Sequence, residues 1–153
     1  MKYTINNLIE LKRFATVLAE QIQPGDVYSL IGDLGAGKTT LVQKIGEAMG
    51  LNDYITSPSF SIVNIYGNES NIYHLDLYRL NDPSELESLD FESYFYPEGV
   101  SFIEWASKGG DYLPDDMIEI EIEQNANQRQ ITIRGKDSRA DELREALDEN
   151  FSN

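Results

Sequence analysis

The sequence predicts an α/β fold, a three-layer sandwich with a mixed, largely parallel central sheet plus antiparallel hairpins. Three observations carry that reading. Val27 to Ile31 is an apolar strand that gives way to a glycine-rich turn opening directly into a helix, and a strand this apolar belongs in the middle of a sheet. Val100 to Glu104 is a second apolar strand ending in a carboxylate, at the edge where open α/β sheets bind their ligands. Two pairs of strand-like segments, Ser61 to Tyr66 with Asn71 to Tyr78 and Met117 to Glu123 with Arg129 to Arg134, are separated by turn-forming residues and read as hairpins. The 153 residues suit one domain spanning 1–153, long enough to bury roughly two thirds of the surface of its unfolded chain.

Taken in order, Lys2 to Ile5 forms a short strand, and Asn6 or Asn7 caps a helix. In that helix Leu8, Leu11, Phe14 or Ala15, Leu18 and Ile22 recur at helical spacing as one buried stripe. Pro24-Gly25 turns the chain into the strand at Val27. After the glycine-rich turn, Leu41, Val42, Ile45 and Met49 share one side of the next helix, and Gly50 stops it. Pro58 marks a loop and Gly67 to Ser70 a turn. Along the strand that follows, His74, Asp76 and Tyr78 share one face, while Tyr73, Leu75, Leu77 and Arg79 share the other. N-D-P-S-E-L-E, from Asn81, carries a cap followed by proline, the signature of a helix start. A second short helix begins at Asp90. Trp105 opens the loop after the strand Val100 to Glu104. The strand from Met117 alternates apolar and acidic residues, so its hairpin keeps one face in water. Ala140, Leu143, Leu147 and Phe151 give the last helix its apolar stripe.

Charge and composition exclude several functions. With 12 Lys plus Arg against 27 Asp plus Glu, the net charge is −15, which disfavours autonomous binding to nucleic acid and adhesion to anionic membranes. A basic partner is compatible with it. The absence of cysteine removes disulfides, thiol catalysis and Cys-ligated zinc. M-K-Y-T-I-N-N lacks the apolar core of a signal peptide, and no run approaches the roughly 18 apolar residues of a membrane span. A cytoplasmic location is expected.

The chemistry centres on Gly32, Gly37, Lys38 and Thr39, which fill the fixed positions of G-x-x-x-x-G-K-[ST] between a strand and a helix. The sandwich is therefore P-loop NTPase-like. Backbone N–H groups of Asp33, Leu34, Gly35, Ala36, Gly37, Lys38, Thr39 and Thr40 cradle a polyphosphate, and the positive end of the helix adds to the attraction. Lys38 reaches the β and γ oxygens and the Thr39 hydroxyl ligates Mg2+. Turnover needs an acid as well. Glu104, at its strand end, has the position of a Walker B carboxylate or is a surface acid. Asp76 is a second candidate, the alternative being a structural pair with His74 or Arg79. His74 reads as a hydrogen-bonded structural group, since a lone histidine is too little for zinc. Trp105 either stacks on a base or packs against the core, and packing is favoured. Thr56 to Phe60 is either a switch that senses the γ-phosphate or an ordinary proline turn.

Together these motifs resemble the TsaE (formerly YjeE) family, small bacterial ATPases of the tRNA threonylcarbamoyladenosine biosynthesis machinery. The resemblance rests on G-D-L-G-A-G-K-T-T at Gly32 to Thr40, S-P-S-F at Ser57 to Phe60, H-L-D-L-Y-R-L at His74 to Leu80 and I-E-W at Ile103 to Trp105. It implies an ATP and Mg2+ site with Lys38 on the phosphates and Thr39 and Glu104 on the metal. It places Asp76, with Lys38 and Glu104, in the catalytic set. Ser57, Pro58 and Ser59 fall on the family's switch-like loop, and His74, Arg79 and Trp105 are carried with it as switch or partner residues. The implied partners are TsaB and TsaD, which install threonylcarbamoyl on adenosine 37 of certain tRNAs, so that tRNA is met only through the complex. Two departures are visible: Ser59 stands where threonine is common, and Ala106 where proline is frequent. Beyond residue 115 the match fades, and the first helix near Asn7 and the hairpin near Arg129 are open alternatives for contacts to adenine.

Two rival functions remain. A small-molecule P-loop kinase brings several cations to the transferred phosphoryl group, yet between residues 40 and 128 the chain has only Lys44, Arg79 and Lys108. A nucleotide-gated binding module would switch partners with little turnover. No N-K-x-D or T-K-x-D is present to read guanine.

Overall fold

The computed structural model describes residues 2–33, 35–51, 63–66, 72–88, 91–95, 97–135 and 138–151. The strands are β1 (Lys2–Ile5), β2 (Val27–Ile31), β3 (Val63–Tyr66), β4 (Ile72–Asp76), β5 (Val100–Glu104), β6 (Ile118–Asn125) and β7 (Gln128–Arg134). The α-helices are α1 (Leu8–Gln21), α2 (Lys38–Ala48), α3 (Phe91–Phe95) and α4 (Ser138–Asn150), and 3-10 turns cover Pro83–Ser88 and Ala106–Tyr112.

All seven strands join one sheet in the order β1-β7-β6-β2-β5-β4-β3. Its centre is parallel, β6 against β2, β2 against β5 and β5 against β4, while β7 and β1 on one flank and β3 on the other pair antiparallel. β2 thus lies in the middle, as its apolar run predicts.

The two-residue repeat of the strands sorts side chains into two cores. Tyr28, Leu30, Phe102, Ile120 and Ile131 face α1, α2 and α4, meeting Leu11, Phe14, Leu41, Ile45 and Leu143. On the reverse face Val27, Leu75 and Ile103 meet Leu77, Leu80, Leu86, Phe95 and Ala106, supplied by α3, the 3-10 turns and the chain after β4. Burying each large apolar side chain stabilises the fold by about 1.5–3 kcal/mol. The expected three layers follow from these two contacts.

Asn7 is the cap of α1: its side-chain oxygen accepts from the Glu10 N–H at 2.9 Å, while the Glu10 carboxylate accepts from the Asn6 N–H at 2.7 Å. Leu8 departs from the expected stripe and is 58% exposed. As the first helical residue it points back past the end of the helix, where no described element covers it. The segment after Asn81 also differs, being 3-10 rather than α. Its start is as expected, with the Asp82 carboxylate accepting the Ser84 N–H at 2.9 Å. With Leu86 its only buried side chain, however, it has no apolar stripe to hold a longer helix. Gly50, at φ +81, follows α2 as expected, and Phe151 packs half-buried beyond α4.

Candidate functional site

At the C-terminal edge of β2 the chain turns over the sheet and enters α2. Two glycines there are sterically required. A Cβ on Gly32 would lie 2.7 Å from the Ile122 carbonyl oxygen of β6. Gly37 sits at φ +108, and a Cβ on it would lie 3.0 Å from Arg129 Nε. Gly37 is also the N-cap of α2 and supplies no side-chain hydrogen bond, so the first N–H groups of the helix are left uncapped by that residue and suited to an anion. Thr39 and Thr40 lie half-buried in that first turn. Of the expected phosphate and switch positions, Leu34, Ser57, Pro58 and Ser59 lie outside the described residues.

Lys38 folds back across the loop. Its Nζ donates to the Gly32 carbonyl at 2.7 Å and approaches Glu104 Oε1 at 3.3 Å. The second carboxylate oxygen of Glu104 lies 2.8 Å from His74 Nε2. Lys38, His74 and Glu104 are all buried, His74 completely. The surface-acid alternative for Glu104 is therefore excluded. Burial pushes the Glu104 carboxyl upward, but the hydrogen bond from His74 and the neighbouring Lys38 ammonium outweigh it and hold the group below the ordinary carboxylate range.

Asp76 is the parallel-strand neighbour of Glu104. Its carboxylate is half-buried and accepts the Tyr78 N–H at 3.0 Å. The alternative pairing with His74 or Arg79 is not found: His74 is taken by Glu104, Arg79 is exposed, and among the described residues no salt bridge joins either to Asp76. Two carboxylates thus stand side by side at the edge of the sheet, one locked in a buried network and one half-buried and, among the described residues, held only by a local N–H.

Trp105 departs from the expected packing against the core. It is 43% exposed and adopts the left-handed conformation, φ 58° and ψ 41°, an uncommon state for a bulky residue that tends to mark functional sites. Its ring packs at 5.1 Å on that of Tyr78, and Lys38 Nζ lies 5.5 Å from its centroid. Lys108 donates to the Tyr78 carbonyl at 2.6 Å and lies over the Tyr78 ring. Beside Trp105 opens a cleft of about 1030 Å3 whose walls include Gly32, Asp33, Ala36, Lys38, Asp115 and Glu119.

Arg129 lies outside the sequence motifs, and Tyr78, although within H-L-D-L-Y-R-L, is given no role by them. Tyr78 shares a face with His74 and Asp76 by alternation, but its pairing with Trp105 depends on β4 lying beside β5. Arg129 is the second residue of β7, and its guanidinium rests against Gly37, a contact that needs β6 beside β2. Its Nε is buried with no hydrogen-bond partner among the described residues.

The family model described as "Threonylcarbamoyl adenosine biosynthesis protein TsaE" matches residues 5–131. The chain is 36% identical over 157 residues to the tRNA threonylcarbamoyladenosine biosynthesis protein TsaE of Bacillus subtilis (strain 168), covering 100% of this chain and 98% of that one. It is 41% identical over 113 residues to the protein of the same name from Synechocystis sp., covering 71% of each. The crystal structure of Bacillus subtilis YdiB superposes with a TM-score of 0.81 at 32% identity, covering 98% of this chain and 95% of that chain.

Proposed function

The chain belongs to the TsaE family of threonylcarbamoyl adenosine biosynthesis proteins, and from that premise we propose that residues 1–153 act as a single P-loop ATPase domain. It binds ATP with Mg2+ and hydrolyses it slowly, and it serves the making of N6-threonylcarbamoyladenosine at position 37 of tRNA through the partner subunits TsaB and TsaD. The observation that carries this reading is the position of Lys38, buried between Gly32 and Glu104 at the uncapped start of α2. An ammonium on a flexible stem, held there by one carbonyl and one carboxylate oxygen, is a cation poised to move onto phosphate.

The donor set fits the metal and the nucleotide. Thr39 supplies a hydroxyl and Glu104 a carboxylate, both hard oxygen ligands. Among the described residues no cluster of three or more His, Asp or Glu side chains is arranged to hold a metal by itself, so Mg2+ here would take its remaining ligands from phosphate and water. Bound there, the ion supplies charge neutralisation for the transferred phosphoryl group. Lys38 then holds the β and γ oxygens, and the unpartnered Arg129 Nε adds a donor on the nucleotide side of Gly37. Asp76, half-buried and next to Glu104, orients the attacking water. Arg79 is exposed, so apart from Arg129 on the nucleotide side of Gly37 no further arginine among those proposed reaches the transferred phosphoryl group, which supports slow turnover alone and acceleration by partners. The same shortage argues against a kinase.

The charge of −15 leaves tRNA contact to the partners. No helix among the described residues is long and apolar enough to cross a membrane, and the proposed work on tRNA places the protein in the cytoplasm.

A second reading, a nucleotide-gated binding module with little turnover, is favoured by one feature. Trp105 and Tyr78 are exposed beside Lys38, so a phosphate that draws Lys38 away alters the surface a partner meets. ATP hydrolysis measured with and without TsaB and TsaD tests both readings. Stimulation is expected; hydrolysis that stays at background with both partners would leave the binding module.

A further inference from the structure

The only histidine of the chain is also among its most enclosed polar groups. His74 lies on β4, in register with Asn64 of β3 and Phe102 of β5, on the face covered by the P-loop helix. Its Nε2 is 2.8 Å from Glu104 Oε2, and its Nδ1 is buried with no partner among the described residues. Of the two ring nitrogens, only Nε2 faces an acceptor among the described residues, so the ring proton has its use there. Glu104 in turn has one oxygen taken by His74 and the other turned to Lys38.

A glutamate has three rotatable bonds, and the backbone of a strand restricts them without selecting a single rotamer. A donor that is itself locked between two strands can make that choice. We propose that His74 is a positioning residue: its Nε2–H holds Oε2 of Glu104 so that Oε1 stays aimed at Lys38 and the start of α2. The proposal rests on the reading of Glu104 as the acid that holds the divalent ion. It makes His74 the outer partner of a metal-holding carboxylate, a role whose loss typically weakens metal binding about 10–100-fold.

The experiment titrates Mn2+ into the full chain with ADP present, followed by electron paramagnetic resonance, alongside calorimetry with ADP alone and thermal unfolding. In His74→Gln the amide nitrogen stands near the place of Nε2, whereas in His74→Asn it stands near Nδ1, one bond short of Glu104. His74→Gln is expected to bind Mn2+ nearly as well as the unsubstituted chain, and His74→Asn about 10–100-fold more weakly, with affinity for ADP alone unchanged in both. In a Glu104→Gln background the difference between the two variants should vanish, since coupled residues lose their effect together. Equal Mn2+ affinity of the two variants, whatever their melting temperatures, would make His74 a packing residue and overturn the proposal. Failure of the unsubstituted chain to bind Mn2+ with ADP is a separate result: it removes the metal-holding role of Glu104 and the inference with it.

Discussion

Two polar networks lie at opposite ends of the central strand β2, and they are built differently. At its start, Asp26 accepts from Arg139 Nε at 3.2 Å and from an Arg139 terminal nitrogen at 2.7 Å, from the Gln23 N–H at 2.9 Å and from the Tyr28 hydroxyl at 3.0 Å. Arg139 also donates to the Gln21 carbonyl at 2.6 Å, tying α4 to the end of α1. Among the described residues none of these groups is left buried without a partner. At the far end, around Lys38 and Glu104, His74 Nδ1 and Arg129 Nε are buried and unpaired among the described residues, and Gly37, as the N-cap of α2, gives it no side-chain hydrogen bond. A complete network is finished when the chain folds. An incomplete one, with the spare Arg129 donor beside a glycine-rich turn, is completed by something else, and an anion fits its charge. Substitutions at the two ends should therefore separate stability from function.

The largest expected effect is on turnover. Asp76→Ala should cut ATP hydrolysis by about 10^2 or more, the range for removing a group that manages the attacking proton, while Mg2+-ATP affinity changes little. Partner-stimulated phosphate release and calorimetry measure the two separately. An equal fall in both would place Asp76 in binding instead. Lys38→Ala should come next, weakening Mg2+-ATP binding by roughly a hundredfold or more, since hydrogen bonds to charged groups contribute about 1.5–3 kcal/mol each and Lys38 would make at least two. Unchanged affinity in calorimetry would sink the phosphate role of the loop.

Two arginines sharpen the contrast. Arg139→Ala removes the bidentate partner of a buried carboxylate, for a loss of about 3 kcal/mol and a melting temperature lower by roughly 6–12 °C, with nucleotide affinity per folded molecule preserved. Arg129→Ala should do the reverse, weakening nucleotide binding about tenfold while leaving the melting temperature near that of the parent, because the Arg129 Nε has no partner to lose among the described residues. If the two variants behaved alike, the distinction between finished and unfinished networks would fail.

How much of this is legible in the sequence depends on the separation of the residues involved. The phosphate loop, β2 and the strand ending at Glu104 are local patterns, and alternation along β4 already places His74 and Asp76 on one face. The pairing of His74 with Glu104 is not local: it follows from β4 lying in register against β5, 30 residues on, and the sequence alone admits Asp76 as the partner equally well. Arg139 meets Asp26 across 113 residues, and Arg129 reaches Gly37 only because β6 is the neighbour of β2. Trp105 misleads for another reason. A tryptophan after an apolar strand suggests burial, but its left-handed backbone turns the ring outward onto Tyr78, a conformation that no residue type announces.

The smallest effect concerns pH and belongs to the finished network. Tyr28 is fully buried and donates to Asp26. Burial, then the Asp26 charge and hydrogen bond, raise its hydroxyl far above the ordinary tyrosine value. In the unfolded chain the same hydroxyl ionises near pH 10. Below that pH both states keep the proton and the stabilisation is complete. Above it the unfolded chain releases a proton that the folded chain retains, so stability falls as pH rises, by at most about 1.4 kcal/mol per pH unit for this group. Tyr3, raised in the same direction by burial and Asp148, adds to the slope. Tyr28→Phe should therefore flatten the loss of stability between about pH 10 and 11 in urea titrations. At neutral pH it should lower stability by only about 1 kcal/mol for the missing hydrogen bond, with no change in nucleotide affinity. An unchanged alkaline slope would mean that Tyr28 ionises in the folded chain, and that the network at the start of β2 is more open to water than its hydrogen bonds suggest.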